Sequence, residues 1–374
     1  MSYGRWNDEI LEPMRQIGDP LADDVIATVI DKHEIEKVNQ IFRSLVENDD
    51  IVPDEMPPEV NQYLEETAVL PDWADMDLIA QGEDFFDLHW PNIVTLLFCA
   101  SLPSAYAAWR GAQVLFLTTR LTERMHRRIF ETAQFILNVM APGAYSPHGK
   151  AIRSAQKVRL MHATIRHLIQ HEPRWKKHWN DDWGVPINQE DLAGTLMTFS
   201  TEVLVGMCRF RIPLSTSEEQ AYLHAWKVVG HIMGIRPDLL PTGPQDAYDL
   251  AETIFQRQRG PSEAGTVLAK ALMDFMQLQI PGKLFDGLPP TIIRHAVDKD
   301  VADILKIPKS DWTVLLLNIE EGLARLYERF LHRGTRSSRL LERTSFAIVQ
   351  EIVKLERGGK RTLFTIPSSL RSPV

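Results

Sequence analysis

Residues 157–171 read KVRLMHATIRHLIQH, and His162 stands there three residues after Arg159 and four before Arg166. Val158, Met161, Ile165 and Leu168 recur at helical spacing, so the stretch reads as a helix with an apolar stripe turned to a core. His162 lies at the edge of that stripe, and both arginines lie a little further round on the same side. A lone histidine at such an edge usually serves structure, donating one N–H to a carbonyl. Arginines beside it usually face water. The combination has a more demanding chemistry open to it. An iron porphyrin needs an imidazole for the metal, apolar surface for the macrocycle and cations for two propionates, and this one helix face offers all three.

A second constellation lies upstream. Arg128, Glu131 and Thr132 are spaced i, i+3, i+4 and share one side of a helical stretch over 111–140. On a solvated face they would be an ion pair with a threonine neighbour. Phe130, Phe135, Ile136 and Val139 make this helix mostly buried, and polar groups inside a buried helix need partners. Glu123 and His126 form an E-x-x-H, half of a di-iron carboxylate pattern, but the second half is missing from the sequence. Glycine-rich phosphate loops, H-E-x-x-H and G-x-S-x-G are also absent. His224 and His231, seven apart, read as interior hydrogen-bonding residues or as the lining of a pocket.

The elements that must position these groups are helical, because period-2 alternation hardly occurs. Amphipathic patterns run over 21–48, 60–68, 76–89, 111–140, 154–171, 246–258, 263–279, 297–305, 310–332 and near 338–357. Asn188 with Asp191 opens one further helix, and Ser215 with Glu218 forms a capping box that opens another. Residues 90–109 carry no charge until Arg110, and Pro91 and Pro103 are expected to divide them into pieces too short to span a bilayer. The chain has 374 residues with 44% hydrophobic and 24% charged content, an ordinary globular balance. A net charge of −9 argues against a nucleic-acid partner. Cys99 and Cys208, both among apolar neighbours, read as buried, reduced core residues. The first residues show no apolar signal-like run, so the expected compartment is the cytoplasm.

The two constellations, at this separation and followed by GVPINQEDLAGTLMTFS (184–200) and YLHAWKVVGHIMGI (222–235), resemble the family of bacterial rubber oxygenases (latex-clearing proteins) and fungal MpaB-type oxygenases. The resemblance covers roughly residues 85–300. It implies a helical, globin-like protein that holds haem b through one histidine, matched by His162. It implies that Arg159 and Arg166 face the propionates, with Arg294 as a candidate for a further propionate arginine from late in the domain. The family's distal Arg-x-x-Lys-Thr element is matched by Arg128 and Thr132, while Glu131 stands where the family has a lysine able to serve as sixth iron ligand. A glutamate regarded in the family as a catalytic base aligns near Ala112–Gln113, where no carboxylate exists.

The expectation is therefore an all-α protein, a single large helical domain with a globin-like haem-binding core. Residues 1–84 would form an N-terminal helical extension, 85–300 the core, and 301–374 C-terminal helices and a polar tail. His162 would be the iron ligand, with Arg128, Glu131 and Thr132 as the distal catalytic set. The expected activity is that of a haem oxygenase using dioxygen or peroxide on a small apolar substrate, with rubber disfavoured and no membrane span. A non-catalytic haem sensor and a haem-less helical interaction protein stay open as alternatives.

Overall fold

In the computed structural model, which describes residues 5–120, 125–279 and 287–309, the chain folds into helices. Among the described residues there is no strand, only an antiparallel backbone bridge between Ala108 and Arg259. In chain order come α1 (Asp8–Met14), α2 (Pro20–Asp31), α3 (Ile35–Phe42), α4 (Pro58–Glu66) and α5 (Met76–Leu96). A π-helical turn, Leu97–Ser101, joins α5 to α6 (Leu102–Ala107), and α7 (Ala112–Arg120), α8 (Met125–Met140), α9 (Ala151–His171) and α10 (Pro173–Lys176) follow. The rest is α11 (Gln189–Phe199), α12 (Thr201–Arg209), α13 (Thr216–Ile232), α14 (Pro244–Gln258), α15 (Glu263–Gln279), α16 (Leu288–Ala296) and α17 (Lys299–Ile304). The helices expected beyond residue 309 lie outside the described residues, as does Glu123 of the E-x-x-H.

Local chemistry sets several helix starts. Asn188 accepts the Asp191 N–H at 2.9 Å to open α11. Ser215 and Glu218 form the reciprocal capping box of α13. The expected 21–48 helix is broken at His33, which adopts φ 58°, while the Glu34 N–H returns to the Val29 carbonyl. That is a left-handed C-cap of the Schellman kind, built without the usual glycine.

The division expected at Pro91 and Pro103 does not occur, and Met76–Ala107 is continuous over 32 residues. An interior proline costs about 3 kcal/mol. Burying Phe86, Trp90, Ile93 and Leu96, at about 1.5–3 kcal/mol for each side chain, outweighs it. Pro103 is accommodated by the π turn, where the Leu102 N–H reaches back five residues to Leu97. By length and composition this helix could cross a membrane, yet 56% of its apolar window is packed inside the fold, chiefly against α13.

Two apolar clusters share α9. The large one gathers α5 to α8 with α11 to α17 and takes Ala151 and Ala155. The smaller one is built by α2, α3 and α4 and takes Leu160 and Ala163. Helix α9 is thus covered by the N-terminal helices on one side and by the main core on the other. Cys99 is buried as expected, but Cys208 is exposed, because it falls on the outward side at the end of α12; neither is in a disulfide.

Candidate functional site

Three faces of α9 have different work. The first receives the N-terminal helices through buried polar groups. Gln156 donates from its side chain to the Leu64 carbonyl and the Thr67 hydroxyl, both at 2.8 Å, and its backbone carbonyl accepts from the Tyr63 hydroxyl. Lys157 donates to the carbonyls of Phe42 and Leu45 at the end of α3, and burial pulls its ammonium down to about 8.

The second face carries Val158, Met161, His162 and Ile165, all of which keep some accessible surface. His162 is nonetheless enclosed, and burial, with the charges of Arg166 and Arg128 adding to it, lowers its pKa to about 3. Its Nδ1 is buried without a hydrogen-bond partner. With its pKa lowered that far, the ring is a neutral imidazole at ordinary pH. That is the form a metal requires.

Helix α8 faces the same region. Arg128 donates from Nη1 to the Leu115 carbonyl at 2.9 Å and the Thr118 hydroxyl at 3.1 Å, so α7 fixes its guanidinium. Burial lowers its pKa, while Tyr106 and Glu131 pull the other way. Arg128 therefore lies within electrostatic reach of Glu131, Tyr106 and His162. Thr132 is partly accessible on the same helix. At the aligned base position Ala112 is fully buried and Gln113 donates to the Trp109 carbonyl.

On the third face Arg159 and Arg166 hold carboxylates of α2 and its N-cap. Arg159 grips Asp19 with Nε at 2.5 Å and Nη2 at 2.8 Å, and its Nη1 reaches the Ile232 carbonyl at 3.2 Å. Each nitrogen of that guanidinium is engaged. Arg166 pairs through Nε with Asp23 at 2.8 and 2.9 Å and through Nη1 with the Ile187 carbonyl at 2.7 Å. Its Nη2 is buried without an acceptor. Both pairs sit against glycines. A Cβ on Gly234 would lie 2.5 Å from Arg159 Nε, and one on Gly18 would lie 2.7 Å from Asp23 Oδ2. Arg294 is directed at α17, bonding Asp303 and the Ile307 carbonyl.

Sequence reasoning missed Asp19 and Asp23, which read as ordinary acids at a helix start, and Tyr106, hidden in an uncharged run. It left His224 and His231 open between two roles. Both rings meet Trp73 edge-on, His224 Nε2 accepts the Asp75 N–H at 3.0 Å, and His224 also lines a pocket of about 90 Å³.

The described helices thus bring an enclosed imidazole within electrostatic reach of an arginine fixed by α7. The family described as ER-bound oxygenase mpaB/B'/Rubber oxygenase, catalytic domain, matches residues 92–337, and the chain belongs to it. The rubber oxygenase of Streptomyces sp. (strain K30) is 28% identical over 297 residues, spanning 78% of this chain and 71% of that protein. The solved structure of latex clearing protein LCP in the closed state shares the fold, with a TM-score of 0.72 over 95% of both chains at 23% identity.

Proposed function

We propose that the chain is a haem-b oxygenase that uses dioxygen or a peroxide on a small apolar substrate. The observation that carries this reading is His162, a neutral imidazole with an orphaned buried nitrogen on the accessible apolar face of α9. The surroundings fit the group in part. Val158, Met161 and Ile165 offer apolar surface, and Arg166 has one buried nitrogen, Nη2, left for a propionate. Arg159 would have to share its charge with Asp19, and Arg294 with Asp303.

His162 would hold the iron, and the haem would supply the redox centre at which the oxidant is activated. The residues of α8 would do the rest. Arg128, locked by Leu115 and Thr118, presents a fixed positive charge to any anionic oxygen species. Glu131 can accept or return a proton beside it, and Thr132 offers a hydroxyl for orientation. A carboxylate in place of the family's lysine, with no acid at Ala112–Gln113, supports a substrate other than rubber. The visible spectrum with haem quantitation tests the proposal. About one haem b per chain is expected, lost in His162→Ala and kept in His231→Ala. Haem-supplemented protein without a Soret band, or equal loss in both variants, would overturn it.

A further inference from the structure

We propose a second metal site, unrelated to His162, in which Glu47, Asp49 and His148 bind a first-row divalent cation such as zinc at the surface. His148 Nδ1 lies 3.3 Å from Glu47 Oε2 and 3.4 Å from Asp49 Oδ2, and the three ligand atoms all lie within 4.8 Å of one another. Two carboxylates converging on one ring nitrogen cannot both be served by it, because Nδ1 carries at most one hydrogen. A cation between them can serve both. Ligands held at about 2.0–2.2 Å around a tetrahedral zinc stand about 3.4 Å apart, which is the spacing from His148 Nδ1 to each carboxylate oxygen. One imidazole with two carboxylates suits zinc and its neighbours better than calcium, which prefers an all-oxygen shell. Water would complete the coordination, since the His148 side chain is 82% exposed.

The geometry is set without help from the ligand side chains. Asn48, between the two acids, is engaged through its side chain and its backbone N–H. Its side-chain amide donates to the Ala144 and Ser146 carbonyls at 2.8 Å, its Oδ1 accepts from Ile152 at 3.0 Å, and its N–H reaches Gly149 O at 2.8 Å. The Asp49 N–H binds Pro147 O at 3.0 Å. Gly149 permits this approach, because a Cβ there would lie 2.0 Å from the Ala144 carbonyl oxygen. Asp50 is spent on the backbone N–H groups of Val46 and Glu47. Arg153, which is bonded to this loop, is tied to Gln156 and the Asp50 carbonyl, so it leaves the two acids to the cation.

The consequence is mechanical. The ion would staple the 43–57 connection of the N-terminal helices to the turn that joins α8 to α9, the two helices of the candidate haem site. Zinc dialysed into the full chain, with bound metal quantified apart from iron, tests the proposal. One zinc per chain is expected at micromolar free zinc, with at least about tenfold weaker binding in His148→Ala and in Glu47→Gln/Asp49→Asn. His162→Ala should bind zinc as the parent does, which separates this site from the haem proposal. Equal zinc affinity in parent and His148→Ala, or no zinc retained by the parent, would overturn it.

Discussion

Asp19→Asn removes one negative charge and almost no volume from the grip of Arg159. The side chains of this pair keep only 10% and 4% of their exposure, so the guanidinium left behind cannot turn to water. One of its two bonds then ends on a neutral amide oxygen, and the other meets an amide NH2. Breaking a buried pair from one side costs about 3–5 kcal/mol. Arg236 and Asp238 supply the control. They form the same two-pronged contact at 2.9 Å, but with 44% and 51% exposure, and Asp238→Asn should cost about 0–1 kcal/mol. Urea midpoints and slopes for the two variants give the comparison. Pairing Asp19→Asn with Arg159→Leu should recover part of the loss, because the stranded charge then disappears. Equal losses at Asp19 and Asp238, or a double variant worse than the sum of its parts, would refute the reasoning.

If the proposed function holds, Glu131→Gln should keep the haem and its His162 ligation while lowering oxygenase turnover. Glu131→Lys should shift the ferric spectrum toward six-coordinate low spin and slow cyanide binding, and an unchanged spectrum would place residue 131 away from the iron. His89 is buried against Phe85, with ring centroids 4.6 Å apart, and burial lowers its pKa from 6.5 to about 4. The folded state binds fewer protons there than the unfolded state, so this contribution is full above pH 6.5 and is lost as pH falls toward 4. Between pH 7 and pH 5 the loss amounts to about 2 kcal/mol. Denaturant midpoints at the two pH values should therefore fall less in His89→Gln than in the parent.

The features legible in the sequence were local ones or helix-periodic ones. Asn188 and Ser215 cap helices through atoms three residues away, so their patterns needed no tertiary knowledge. His162 could be placed because its position on the apolar edge is a property of one helix. Pro91 misled because its cost is local while the packing that outweighs it comes from α13, far along the chain. The break at His33 carried no glycine to announce it. Asp19 and Arg159 are 140 residues apart, and nothing in either neighbourhood names the other. Cys208 sits among apolar residues in sequence and still points outward, because its place on α12 decides its exposure.

The glycines beneath the two ion pairs bear on how this chain can change through descent. Gly18 has no unusual backbone angle to protect; what it protects is the room taken by Asp23 and Arg166. An alanine becomes tolerable at 18 only in a lineage where one of those side chains has already shortened. Asp19 and Arg159 are bound by the same logic, since losing either alone strands a buried charge. Asp19, Asp23, Arg159, Arg166 and Gly18 thus form a block whose members constrain one another. Part of that block lies upstream of residue 92, where the family match begins. Gly18, Asp19 and Asp23 lie before that match, and Arg159 and Arg166 lie within it.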